Sequence, residues 1–307
     1  MVNTIYSIDD GAQHTVSELL GTPLAIAKPI VDYLVDWDLT AAIFEDIGAN
    51  NGSVAYEKDP APFTEDGLET VAEFAEFPST RPVSGEKVLV AGEKEGRWLD
   101  ISYEMRDENQ VNQVSRSLLQ FRNAAALSSY RRLKSVLEAS DIGTVTAAAA
   151  WKDAAADPLG DTSEAIELIT DAIVPGVNED EATYGFDPDT MVMPRSLAGT
   201  FVKNEEFRAA YTAALAADNP VFTGYKGVTK FGYNGLQIII PKFWYLDRIL
   251  ILDSDNKPGF VSDTRPLAMT GPYDDPKRET VGYKLARKRI LGVDRPKAAK
   301  WITGVKA

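Results

Sequence analysis

The sequence predicts an α+β protein organised around one unusually long helix, with a compact α/β lobe beside it. Three observations carry that expectation. From Glu104 to Ser140 no glycine or proline interrupts a run in which Val111, Val114, Leu118, Phe121, Ala125, Leu133 and Val136 recur at three- and four-residue intervals, the period of a helix with one apolar face. At 1.5 Å per residue such a helix spans roughly 50 Å and needs an equally long surface to cover. Strand patterns flank it at 88–103 and 281–293, where apolar and polar residues alternate. Charge, finally, is sorted along the chain: fifteen acids against two lysines between Met1 and Glu76, and ten bases against two acids between Lys277 and Ala307.

The elements follow in order. Residues 1–48 read as an acidic, partly extended arm with one amphipathic helix over Ile26–Trp37, where Ile30, Tyr33, Leu34 and Trp37 share a face. Ala49-Asn50-Asn51-Gly52 is a turn. In Ser53–Glu86, Pro60, Pro62, Pro78 and Pro82 punctuate short β-like pieces, so this stretch is expected to project as a loop or hairpin. Its Phe63, Leu68, Val71, Phe74 and Phe77 are too few for a core and are expected to dock on a neighbour. Val88, Leu89 and Val90 form a strand, Gly92 to Gly96 a turn, and Leu99, Ile101 and Tyr103 a second strand. After the long helix, alanine-rich Ala147–Asp157 reads as a helix ended by Pro158 and Gly160. Asp161 or Thr162 would then cap a third helix over Ser163–Val174. Met191–Pro194 reads as a short strand, Leu197–Ala217 as a helix, and Leu236–Ile240 and Ile249–Leu252 as buried strands, with a turn over Asp253–Gly259. A long strand runs from Val281 to Val293, before Arg295-Pro296 and an apolar stop at Trp301-Ile302.

With 307 residues the chain is long enough for two lobes or one elaborated domain. Its 44% hydrophobic, 25% charged and 9% aromatic residues exclude a disordered, collagenous or membrane-spanning chain. No apolar run approaches the ~18 residues of a membrane span. Met1–Asp10 has neither a basic nor an apolar leader region, so neither secretion nor a membrane partner is expected. Zero cysteines exclude disulfides and thiolate metal sites. A net charge of −14 disfavours tight binding to nucleic acid, because phosphate recognition needs neutralising cations.

Catalytic machinery is missing from the sequence. No phosphate-binding GxxxxGK[ST] or GxGxxG is present, and the glycine cluster Gly224–Gly235 reads as a surface loop. Asp253-Ser254-Asp255-Asn256 opens like a calcium loop but fails at Lys257-Pro258. His14, the one histidine, stands in the arm without partners for a triad or a zinc site. Acids fall in solvated runs rather than in a recognisable catalytic pair. Arg287-Lys288-Arg289 lies in a strand pattern, so Lys288 faces away from the two arginines. That split suits salt bridges to two neighbours better than a single phosphate patch. No catalytic residue, cofactor or metal is therefore expected. Oppositely charged ends can pair within one subunit or between neighbours, where complementary potentials steer encounter, and this favours self-assembly over enzymatic work.

In this order the elements resemble the major capsid protein of tailed bacteriophages. The segments carrying the resemblance are Lys94–Met105 (KEGRWLDISYEM) running into the long helix, Met191–Ala198 (MVMPRSLA) and Thr280–Gly304 (TVGYKLARKRILGVDRPKAAKWITG). The resemblance implies the tailed-phage capsid fold, with an N-terminal arm (1–48), an extended loop (49–86) and a peripheral domain holding the spine helix (87–144, helix 104–140). An axial α/β domain (145–258) and a returning peripheral strand with the C-terminus (259–307) complete it. It further implies pentamers and hexamers of an icosahedral head assembled in the host cytoplasm, enclosing double-stranded DNA without specific binding. A separate scaffold, a portal and decoration proteins would be partners. Subunit contacts are expected from Glu57, Asp59, Glu65, Asp66, Glu69, Glu73, Phe74 and Glu76 of the loop, and from Arg287, Lys288 and Arg289 of the basic strand.

Some members of that family join subunits by an isopeptide bond between a loop lysine and a peripheral asparagine, assisted by a glutamate. Aligning Arg295-Pro296 with the family's Arg-Pro puts Glu279 at the asparagine position and Ala286 at the glutamate position. Lys58 and Lys87 remain as donors without acceptor or catalyst, so a non-covalent shell is expected. The alternatives are an encapsulin-type compartment of the same fold and a soluble α/β enzyme of unknown reaction.

Overall fold

The computed structural model describes residues 16, 20, 23–36, 38–153, 156–178, 182–198, 223–225, 228–233, 236–241, 243–244 and 246–306, with backbone alone at 23–25, 36, 223–225 and 228–233. In chain order, helix α1 (Pro23–Asp36) and a short α2 (Thr40–Ile43) lead into β1 (Phe44–Asp46). Strands β2 (Ser53–Glu57), β3 (Lys87–Ala91) and β4 (Glu93–Ser102) precede α3 (Tyr103–Asp107) and the long α4 (Val111–Ala139). Next come β5 (Gly143–Thr146), α5 (Pro158–Thr170) and β6 (Thr190–Val192). The remaining strands are β7 (Thr223–Tyr225), β8 (Val228–Tyr233), β9 (Leu236–Pro241), β10 (Ile249–Leu252), β11 (Gly259–Asp275), β12 (Thr280–Gly292) and β13 (Ala299–Thr303).

Two sheets share the helix α4. A four-stranded sheet has the order β1-β11-β12-β4, and a seven-stranded sheet the order β5-β13-β10-β6-β9-β8-β7. β2 and β3 form a separate two-stranded ribbon. The second sheet is continuous with the C-terminal segment: β13 lies between β5, to which it is parallel, and β10, to which it is antiparallel. Ile249 and Ile251 of β10 enter one core with Trp151, Ile169, Met191 and Ile302. Leu250 and Leu252 enter another with Tyr130, Leu133, Trp244 and Trp301. A strand covered on both faces needs an unbroken apolar run rather than an alternating one, which is why Ile-Leu-Ile-Leu is legible as buried.

The long helix begins later than its periodicity suggests. Asn109 takes a left-handed φ of 52°, a conformation Asn tolerates better than most residues, and this closes α3 before α4 starts at Val111. Its side-chain oxygen accepts a bond from the Val16 amide at 2.8 Å, tying the arm to the break. α4 is 29 residues, or ~44 Å rather than ~50 Å. Its buried Val114, Leu118 and Phe121 pack with Ile26, Ile30, Ile101 and Tyr283.

Four further expectations are corrected. Ala147–Asp157 is not helical: after β5 the chain turns, and Trp151 is buried with its Nε1 donating to Asp161 at 2.8 Å. Pro158 starts a helix instead of ending one, occupying the first turn of α5 behind the N-cap Asp157, whose Oδ1 accepts from the Gly160 amide at 2.8 Å. Of the glycine cluster at 224–235, the described residues belong to the antiparallel pair β7–β8, and the turn after β3 is confined to Gly92, with β4 already running at Glu93. The helix expected over Leu197–Ala217 starts at 195 and lies beyond 198 outside the described residues, as does His14.

The unforeseen element is β11, the 17-residue partner of β12. Pro266 and Pro272 disguise it. Both fall where the ladder shifts register, between Arg265 and Ala268 and between Thr270 and Tyr273, because proline has no N–H to give a regular ladder. β11 is anchored at its start by Gly259, which pairs with Phe44. A Cβ there would stand 2.3 Å from the Gly292 carbonyl oxygen and 2.8 Å from the Phe44 ring. Gly259→Ala is therefore expected to destabilise the subunit by about 1–3 kcal/mol through overpacking, read as a lowered urea midpoint with an unchanged m-value.

Candidate assembly surfaces

The projecting segment is held firmly at its root and not at all at its tip. β2 pairs with β3 from Ser53–Ala91 to Glu57–Lys87, and the Gly85 amide donates to the Glu57 carboxylate. Asp59 adopts φ 44°, donates its amide to the Asp294 carbonyl at 2.7 Å and accepts at its own carbonyl from the Tyr184 hydroxyl at 3.2 Å. Lys58 reaches Asp141 at 2.9 Å and Glu86 at 3.8 Å. Farther out, Asn178 gives its amide to the Glu65 carbonyl and its side-chain Nδ2 to Asp66, both at 2.8 Å. Beyond this neck Glu69, Glu73 and Glu76 are exposed, and so are Leu68 (106%), Phe74 (98%) and Phe77 (82%). Three large, exposed apolar side chains on one loop form a patch of the kind that marks an interaction surface.

The basic strand divides as its alternation requires, but the arginines turn inward. Arg287 and Arg289 on β12 are 5% and 8% exposed. Arg289 grips Asp263 with Nε and Nη2, each at 2.7 Å, and Asp38 with Nη1 at 2.6 Å. Arg287 binds Glu95 at 2.6 Å and Ser129 of α4 at 3.0 Å. Glu95 is shared with Arg132 of α4, whose Nη2 also donates to the Arg289 carbonyl at 2.9 Å. The cluster thus ties the arm, the long helix and three strands of the four-stranded sheet together within one subunit. Burial raises the Asp38 and Glu95 carboxyls, but the surrounding guanidiniums and, for Asp38, Thr40 outweigh it and hold both below the usual range. At the loop root the balance is reversed. Burial dominates and lifts Asp59 and Asp294, and Asp294 Oδ1 is buried without a hydrogen-bond donor.

Lys288 points the other way, with its Nζ over Gly52 at the end of the β2–β3 ribbon. The outward face of the four-stranded sheet continues from it through Lys284, Lys94 and Arg265. None of these four cations has an acidic partner among the described residues. On the same face Trp98 and Tyr273 stack at 5.4 Å, each nearly half exposed, and Trp98 lies against Gly282, where a Cβ would meet its ring at 2.1 Å. Continuing the alternation from Lys288 to Lys284 is the one signal in the sequence for this face. The rest depends on knowing which strands neighbour β12. Glu279 sits in the β11–β12 turn with φ 50°, and Ala286 lies mid-strand opposite Gly96.

The family described as phage capsid protein matches residues 85–302, more than two-thirds of the chain. This chain belongs to the phage capsid protein family. Among solved structures the capsid protein is similar to the capsid of Myoviridae phage XM1, at 15% identity and a TM-score of 0.56 over 86% of this chain and 90% of that one. The capsid of a native GTA particle is similar at 14% identity and 0.56 over 97% and 95%. A virus-like particle from Pyrococcus furiosus is similar at 9% and 0.56 over 90% and 97%. At these identities the likeness is one of fold, and that fold is the α+β tailed-phage capsid fold. No curated protein sequence matches the chain. Among the described residues of the capsid protein, no group of three His, Cys, Asp or Glu is arranged for a metal, and no helix is long and apolar enough to cross a membrane.

The charge cluster makes two measurable demands. Arg289→Met strands Asp38 and Asp263 in a half-buried site and is expected to cost about 3–5 kcal/mol in urea unfolding, as removing one partner of a buried pair does. The pH dependence has two limbs of opposite sign. Asp38 and Glu95, with depressed folded pKa values, contribute stability above the ordinary carboxylate range that is lost as pH falls through their folded values. Asp59 and Asp294, with raised values, oppose folding while charged and are relieved as pH falls from neutral into that range. A urea-midpoint series should therefore rise modestly on mild acidification and collapse below it, and Asp294→Asn should reduce the rise and leave the collapse in place.

Proposed function

We propose that this protein is the structural building block of an icosahedral phage head, assembling with copies of itself into pentamers and hexamers that enclose double-stranded DNA. The observation that carries the reading is the exposure of Leu68, Phe74 and Phe77 on a loop whose root is firmly held. In this reading residues 49–86 are the extended loop and α4 is the spine helix. Residues 145–258 form the axial domain, completed by β13, and 259–307 return through the peripheral domain. The virion shell is its location, after assembly in the host cytoplasm with a separate scaffold and a portal, and with decoration proteins added outside. Its work is structural, with no catalytic site, and its bonds between subunits are non-covalent.

The loop of one subunit lies on the outward sheet face of the next. Glu65, Glu69, Glu73 and Glu76 have no ion-pair partner among the described residues, and the facing surface offers Lys94, Lys284, Lys288 and Arg265. The apolar tip meets Trp98 and Tyr273, so charge sets register while aromatic contact supplies affinity. Arg287 and Arg289, occupied inside their own subunit, do not take part. A second reading, an encapsulin-type compartment with protein cargo, is favoured by the likeness to the virus-like particle.

Negative-stain microscopy of the purified protein, alone and co-expressed with neighbouring phage-type genes, tests the proposal. Closed shells, or rings of five and six, are expected; a persistent monomer under both conditions refutes it. The triple change Leu68→Ser, Phe74→Ser and Phe77→Ser should leave the monomer's melting temperature within about 2 °C, since exposed sites contribute little to stability, yet abolish shells. Lys94→Glu with Lys284→Glu should slow assembly, with the defect growing as salt is lowered. Arg287→Glu with Arg289→Glu should instead unfold the subunit.

A further inference from the structure

One surface of the capsid protein is unlike the rest. Between Glu108 and Glu138 the chain contains no Asp or Glu, although acids make up 46 of its 307 residues. This acid-free stretch is α4 up to its last two residues. Its inward face is apolar, and its inward-turned Arg122 and Arg132 are engaged, by the Tyr33 ring at 3.6 Å and by Glu95. The exposed stripe carries Gln113, Arg116, Gln120, Asn123, Ser128 and Arg131, about 27 Å from end to end at helical rise. Arg116 and Arg131 form no ion pair among the described residues, and α4 has no exposed large hydrophobic residue.

That composition separates two kinds of partner. Protein interfaces are anchored by buried aromatic and aliphatic side chains, which the loop tip and the Trp98–Tyr273 face supply and this stripe lacks. Arginine and amide side chains that form no ion pair with a carboxylate are the groups that contact phosphate oxygens. Val114, Leu118 and Phe121 of α4 pack on Val281, Tyr283 and Leu285 of β12, whereas Lys284 and Lys288 alternate to the other side of that strand, so the stripe and the face assigned to the neighbour's loop lie on opposite sides of the layer.

We propose that the exposed stripe of α4 is the surface that touches the phosphate backbone of the enclosed double-stranded DNA, without reading its sequence. The inference rests on the reading of the protein as a DNA-enclosing shell. Two free arginines per subunit, in a chain of net charge −14, give many weak contacts spread over the shell, which order DNA at the wall and still let it leave. Each contact carries the salt dependence of one displaced counterion.

The test uses DNA-filled particles. Ultraviolet cross-linking followed by mass spectrometry should join DNA to peptides within 113–131. The cross-link should be lost in Arg116→Gln with Arg131→Gln and regained in Arg116→Lys with Arg131→Lys. Because the chain has no cysteine, Ser128→Cys supplies a unique thiol. A bulky polyethylene-glycol maleimide should leave it unlabelled in intact particles and label it once they are opened. Labelling of intact particles, or cross-links confined to other segments of DNA-filled particles, overturns this inference and leaves the capsid reading standing. Particles that contain protein cargo and no DNA overturn both.

Discussion

The subunit depends on the burial of one apolar stripe. Val114, Leu118 and Phe121 of α4 close the core beneath the four-stranded sheet, while Tyr130, Leu133 and Leu137, three turns farther on, close the core against the seven-stranded sheet. A single rigid rod therefore sets the relation between both sheets. The arm adds its own side chains, Ile26, Ile30 and Leu34, to the first of these cores. Within a protein most of a helix's stability comes from packing its apolar face rather than from propensity, so its order and that of the sheets are mutually dependent. Removing a large side chain near its middle would loosen both cores together.

Charge works inside this frame in a way that composition conceals. The acid-rich beginning and base-rich end of the chain meet within the subunit, where Asp38 from the arm takes Arg289 from β12. Burying so many ions is expensive unless every partner is present, and here Asp263, Glu95, Ser129 and Thr40 complete the set. What the cluster supplies is position: it locks arm, helix and sheet in one register. Lys284 and Lys288, on the opposite face of the same strand, are half-buried and have no acidic partner among the described residues.

The loop is the counterpart of that economy. Its root is over-determined by the β2–β3 ladder, Glu57, Lys58 and Asp59, whereas its tip buries nothing of its own. A folded monomer thus carries an apolar surface that only another molecule can remove from water.

Much of this was legible in the residues. β9, β10 and β12 stood out because their apolar runs and alternation report burial directly, and the Pro-punctuated, acidic segment at 53–86 announced a projection because it had too little apolar surface for a core. The failures have particular causes. Asn109 ends α3 with neither glycine nor proline to mark the break, Pro158 opens α5 although proline as often ends a helix, and Pro266 and Pro272 hide β11 by falling at its irregularities. In the assembly surface, alternation along β12 correctly separated Lys288 from Arg287 and Arg289, yet it could not say which side faced inward. By itself, the sequence determined local periodicity, the projecting loop and the order of elements, because these depend on neighbours a few residues away. Only the tertiary structure decided where the charges went, because Arg289 and Asp38 lie 251 residues apart and meet only where the arm packs on the sheet beside α4.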